Sequence, residues 1–172
     1  MRLHEDLLER VRSARNRRTA VYVVRSSLTE TALRQTAAAL SLDLPESYIQ
    51  FCTTLGIGDF NEELRLFNPS QLYAFYMPDL EFNGYIAVAT DDLGNYLAFN
   101  PNEALSSGER PLYYFCHDPF GFGVAGNSFG DFIVALAARD FDYHGMVEDL
   151  PTFKEVRPPV VPRVTKPWWR FW

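Results

Sequence analysis

Leu44-Pro45-Glu46-Ser47-Tyr48-Ile49-Gln50-Phe51, closed a turn later by Gly56-Ile57-Gly58, decides the fold. Pro45 suits the first turn of a helix, because the N–H it lacks would find no intrahelical partner there. Tyr48, Phe51, Cys52 and Leu55 then recur on one face as a buried stripe. Gly56 supplies a left-handed stop. Downstream, Ser128-Phe129-Gly130-Asp131-Phe132 opens a second helix of the same kind. Asn127 or Ser128 caps it, and Phe129, Phe132, Ile133 and Leu136 face the core.

Between these helices the period shortens. Leu64 and Leu66 suggest a strand, and Asn68-Pro69 opens a short helix carrying Leu72, Tyr73 and Tyr76, ended by Pro78. Tyr85 to Thr90 and Asn95 to Phe99 predict a hairpin around Asp91-Asp92-Leu93-Gly94. Pro111 to His117 predicts another strand, and Asp118 to Gly126 a glycine-rich loop. Upstream, Leu3, Leu7, Leu8 and Val11 predict an amphipathic helix over 3–16, followed by a short strand at Ala20 to Val24. Ser27-Leu28-Thr29-Glu30 fits a capping box opening a helix to about residue 40.

Beyond Phe141 the pattern dissolves. Five prolines lead to Trp168-Trp169-Arg170-Phe171-Trp172. So many aromatic side chains favour docking back on the domain, with binding to something else as the alternative. These readings divide the chain into a basic helical extension (1–26), an α+β domain (27–140) and a Pro- and Trp-rich tail (141–172).

The 172 residues suit one domain with a proper core, and a 47% hydrophobic share argues against wholesale disorder. No apolar run approaches the roughly 18 residues of a membrane span. The charged start has no apolar signal region, so a cytoplasmic location is expected. Cys52 and Cys116 read as free thiols in apolar surroundings rather than as a disulfide. Net charge is −6, unevenly spread. Residues 1–25 carry seven Arg against three acids; 26–155 carry five basic residues against nineteen acids; 156–172 carry four basic residues and no acid. An acidic body with basic ends repels nucleic acid and attracts cationic partners. The arginines from Arg10 to Arg18 suit a solvated helix C-terminus, where cations complement the dipole.

In order and motif the chain resembles the SUKH superfamily, which includes the fungal cell-wall-synthesis regulator Smi/Knr and many bacterial toxin-immunity proteins. Leu44-Pro45, Tyr48 and Phe51 match its Leu-Pro and following aromatics. Gly56 and Gly58 match its glycine turn, although the family more often has adjacent glycines. Asp92, Gly94 and Tyr96 to Phe99 match its hairpin, and Ser128, Phe129 and Phe132 its last helix. The resemblance covers roughly residues 27–140. It implies an α+β fold with a twisted, mainly antiparallel sheet and flanking helices. It also implies a non-enzymatic protein that binds and neutralises a cognate toxin in interbacterial competition. The alternative is a regulatory protein-binding scaffold of the same fold, without a toxin.

Signals for chemistry are weak. Gly121-Phe122-Gly123-Val124-Ala125-Gly126 satisfies G-x-G-x-x-G, yet the surrounding strands read as hairpins and no acidic residue is placed to hold a ribose. A flexible glycine loop is the plain reading, and no cofactor is expected. His4, His117 and His144 show no metal-ligand spacing. Cys116-His117-Asp118 fails as a nucleophilic set, since neighbouring strand residues point to opposite faces. The candidate partner-binding residues are acids on predicted loops and rims: Asp59, Glu62, Glu63, Asp79, Glu81, Asp91 and Asp92. Phe60, Tyr76, Phe82 and Tyr85 are candidate apolar anchors among them. The expected partner is a protein, not nucleic acid or membrane, and the oligomeric state stays open.

Overall fold

The computed structural model describes residues 3–16, 19–75 and 84–156. The chain runs through α1 (Glu5–Ser13), β1 (Arg15–Asn16), β2 (Thr19–Ala20), β3 (Tyr22–Ser26), α2 (Glu30–Ala39) and α3 (Glu46–Leu55). It continues through β4 (Ile57–Phe60), β5 (Leu64–Leu66), a 3-10 turn (Pro69–Gln71), β6 (Tyr73–Ala74), β7 (Ile86–Asp91) and β8 (Tyr96–Phe99). Last come β9 (Leu112–His117), β10 (Phe120–Gly126), α4 (Phe129–Ala138), α5 (Tyr143–Glu148) and β11 (Lys154–Glu155). The fold is α+β. One nine-stranded sheet has the order β11-β10-β9-β8-β7-β5-β4-β3, with β6 also on the β7 edge that holds β5. Its pairings are antiparallel. Strands β1 and β2 form a separate ribbon.

Alternation sorts side chains to two faces of the sheet. Leu97, Phe99, Leu112 and Tyr114 join the main core, while Ala98 and Phe115 form a second cluster with Tyr113 packed against it. The main core is built on α3 and α4. Tyr48 meets Phe129 edge-on at 5.0 Å and Phe99 at 5.8 Å; Phe51 meets Phe129 at 5.3 Å. Helix α1 adds Leu8 and Val11 to this core, and α5 adds Tyr143, Met146 and Val147. Cys52 is buried among these side chains, and burial pushes its thiol up to about 12, so it stays protonated.

Several local expectations change. Thr29, not Ser27, caps α2: its hydroxyl accepts from Ala32 N–H at 3.2 Å. The expected helix after Pro69 is one 3-10 turn, because Leu72 leaves it extended and Tyr73–Ala74 pairs with β7. Gly56 ends α3 at φ 93° and ψ −179°, so the chain passes straight from helix into β4. The glycine-rich stretch is not a loop but strand β10, paired with β9 along Phe120–Gly126. Periodicity does not end at Phe141 either, since α5 and β11 follow it. The aromatic run 168–172, expected to dock back, lies outside the described residues.

Candidate protein interface

Three turns meet at one end of the sheet: β4–β5, β7–β8 and α4–α5. Asn61 joins the first to the third by donating from Nδ2 to Phe141 O at 3.0 Å. Asp92 N–H donates to Glu63 O at 2.9 Å and joins the first to the second. The backbone here is tightly bent. Asn61, Glu62, Asp140 and Phe141 are four of the five non-glycine residues with positive φ among the described residues. Such conformations cost about 1–3 kcal/mol each and persist only where their surroundings impose them.

Asp91 and Asn95 hold this end together. Asp91 Oδ1 accepts from the Leu93 and Asn95 N–H groups at 3.0 and 2.7 Å. Its Oδ2 accepts from Asn95 Nδ2 at 3.0 Å and from the Tyr143 hydroxyl at 3.4 Å. Asn95 Nδ2 also reaches the Tyr114 hydroxyl at 2.9 Å, and its Oδ1 accepts from His117 N–H at 3.0 Å. Burial, and next the nearby Asp91 carboxylate, hold the Tyr143 hydroxyl far above the ordinary phenol range.

The sequence-predicted acids divide. Asp59 and Asp91 are not on an exposed rim; they are 2% and 6% exposed. Asp59 sits between Arg25 and Arg65 on the neighbouring strands β3 and β5, with Arg65 Nε donating to Oδ1 at 3.2 Å. Glu62 is exposed at the β4–β5 turn. Asp92 is exposed and pairs with His144 Nε2 at 3.0 Å. Glu63 is half-buried, and its Oε2 is closed off without a hydrogen bond. Asp79 and Glu81 lie outside the described residues. The anchors are corrected as well. Phe60 is core at 0% exposure, Tyr85 is half-buried on the other sheet face, and Tyr76 and Phe82 lie outside the described residues.

The structure adds residues that loop reasoning missed. Asp140 and Asp142 bring two more exposed carboxylates to this end. Leu93, 61% exposed, projects from the β7–β8 turn beside a cavity of about 190 Å³ lined also by Tyr114, Cys116, His144, Val147 and Phe153. The acid that lines this cavity is Glu148, and Asp92 reaches it through its pairing with His144. In α5 Asp142 caps Gly145 N–H, and Tyr143, Met146 and Val147 are buried. A six-residue helix is too short for periodicity to announce it.

Among the described residues no group of His, Cys, Asp and Glu could hold a metal ion, and no helix is long and apolar enough to cross a membrane. Comparison with curated proteins and with solved structures returns no match. The family model described as SMI1/KNR4 family (SUKH-1) matches residues 27–135, which span α2 through most of α4. That match covers more than half of the chain, and with the antiparallel sheet and the Leu44-Pro45 and Ser128-Phe129 helices it makes this chain a member of the SMI1/KNR4 family (SUKH-1).

Proposed function

We propose that this chain is a toxin-immunity protein that binds a cognate bacterial toxin, with no bond made or broken. The reading rests on membership of the SUKH-1 family. What favours the β4–β5, β7–β8 and α4–α5 end as the contact surface is that its three joined turns carry exposed Glu62, Asp92, Asp140 and Asp142 together with exposed Leu93. Many toxins that act on nucleic acid or nucleotides are basic at their active clefts. An acidic rim speeds encounter with such a cleft, and an apolar anchor slows departure from it.

The test is co-expression with a candidate toxin encoded beside the gene for this chain, followed by co-purification and a growth-protection assay. Binding and protection are expected for the native chain, and a Glu62→Lys/Asp92→Lys variant is expected to associate about tenfold more slowly at low salt. Failure of the native chain to bind or protect removes the immunity reading. Full protection with an unchanged association rate in the double variant removes this end as the interface.

A further inference from the structure

The cavity beside Leu93 has the size and lining to hold a single side chain. It measures about 190 Å³ and lies between the β7–β8 turn, β9, the β9–β10 turn and α5. Leu93, Cys116, Pro119, Val147 and Phe153 give it mostly apolar walls. Val147 belongs to the main core, and Cys116 and Phe153 pack against that core. The cavity therefore continues the core outward to the surface, where Leu93 stands exposed. An apolar cavity of about 150 Å³ accepts a benzene ring. This one accordingly admits one aromatic or branched aliphatic side chain.

Most polar groups of the lining are already spent. The Tyr114 hydroxyl accepts from Asn95 Nδ2 at 2.9 Å, and His144 Nε2 pairs with Asp92 at 3.0 Å. Glu148 differs: it is exposed, and its carboxylate has no ion pair among the described residues. Cations near it in sequence do not offset it. Arg139, at the C-cap of α4, is held by Asp149 at 2.9 Å. Lys154 lies opposite Phe122 in the β10–β11 ladder and so belongs to the other sheet face. An apolar cavity with one unspent carboxylate is complementary to an apolar side chain that has a cation beside it.

We propose that this cavity receives one aromatic or branched apolar side chain of the toxin, with a neighbouring Lys or Arg of the toxin pairing with Glu148. This rests on the toxin-binding reading above and names what the toxin presents at that surface. The inserted side chain packs on Leu93, Val147 and Phe153 and slows departure. The cation at Glu148 speeds encounter and fixes orientation. Cys116 is covered when the cavity is filled.

The first test needs no toxin. The full chain is titrated to millimolar levels with three acetylated dipeptide amides, Phe-Arg, Ala-Arg and Phe-Glu, and amide NMR shifts are followed. Phe-Arg is expected to shift Leu93, Cys116, Val147 and Glu148, with severalfold smaller shifts from the other two. No shift with Phe-Arg, shifts elsewhere, or equal shifts with Phe-Glu overturn the proposal. Glu148→Gln is expected to bind Phe-Arg and Phe-Glu alike, at unchanged circular dichroism; a retained preference for Phe-Arg overturns the pairing. Occupancy is read by N-ethylmaleimide alkylation of Cys116, resolved from buried Cys52 by peptide mass spectrometry. In the free chain Cys116 is expected to react at one rate across a dilution series. Protection lost only in urea assigns the cavity to this chain's own residues, and protection that grows with concentration assigns it to a second copy; either overturns the proposal. Bound to the candidate toxin, Cys116 is expected to react at least about tenfold more slowly. Growth protection with Cys116 reacting at the free rate overturns the cavity and leaves the immunity reading standing. Loss of the immunity reading is told apart by the absence of binding and protection, since the dipeptide titration is read without a toxin.

Discussion

Glu109 does the work of a helix cap from a distance. Pro45 stands at the N-cap of α3 and has no side-chain oxygen to offer the first turn. Glu109 fills that role: its Oε1 accepts from Ser47 N–H at 3.1 Å and its Oε2 from the Ser47 hydroxyl at 2.6 Å. Ser47 Oγ in turn accepts from Gly130 N–H at 3.2 Å, so one buried carboxylate ties α3 to the start of α4. Glu109→Ala orphans these donors and is expected to cost about 1–3 kcal/mol, measured by urea unfolding, with Glu109→Gln recovering part. Glu63 works in the opposite direction. Burial pushes its carboxyl up, against smaller downward pulls from His144 and the Tyr143 N–H. A raised folded-state value favours folding where the group is protonated, and that contribution is lost as pH rises through it. Glu63→Gln is therefore expected to raise the melting temperature at pH 7 relative to the native chain, with the gap closing toward pH 4; a gap independent of pH would refute this.

At the scale of elements, β10 explains its own glycines. A Cβ on Gly121 would lie 2.5 Å from Phe153 Cζ and 2.8 Å from Lys154 O; one on Gly123 would lie 3.0 Å from the Phe153 backbone. Both positions are kept bare so that 152–155 can lie against the strand. Phe153 stands 6.3 Å from the Tyr114 ring, and the Thr152 hydroxyl accepts from Val124 N–H at 2.8 Å. The G-x-G-x-x-G spacing thus comes from strand packing and carries no phosphate-binding turn. Gly121→Ala is expected to destabilise by about 1–3 kcal/mol and to speed amide exchange at 153–156 before the rest of the sheet. Exchange that stays slow there would show that the close approach is relaxed at no cost.

Over the whole molecule, charge is organised by length of chain rather than by neighbour. Of the nineteen acids of 26–155, Asp59 is held internally by Arg25 and Arg65 and Asp91 by backbone amides, whereas most of the described ones are exposed, with Glu62, Asp92, Asp140 and Asp142 among them at one end of the sheet. Fields from exposed charges act over about 10 Å at 0.1 M salt and about 3 Å at 1 M. The slower association expected of the Glu62→Lys/Asp92→Lys variant should therefore shrink as salt rises, as seen by stopped-flow mixing with the partner. The α3 and α4 helices, the β7–β8 hairpin and the buried stripe of each helix, Tyr48 and Phe51 on α3 and Phe129 and Phe132 on α4, were legible in the sequence. Each is set by local spacing, by capping or by a turn, and each lies within a dozen residues of its own signal. The role of each acid was not legible. Asp59 and Asp91 look like Glu62 and Asp92 in a sequence; arginines on the strands beside Asp59, and the turn amides, Asn95 and Tyr143 around Asp91, make the first pair structural, while the second pair stays exposed. Glu109 likewise meets Ser47 across 62 positions, and Phe153 reaches β10 only after α4 and α5 have turned the chain back. The sequence alone determined which segments form elements and which faces are apolar, because those follow from neighbours along the chain. Tertiary structure alone decided which polar groups are spent inside and which face outward, because that depends on contacts between residues far apart in the chain.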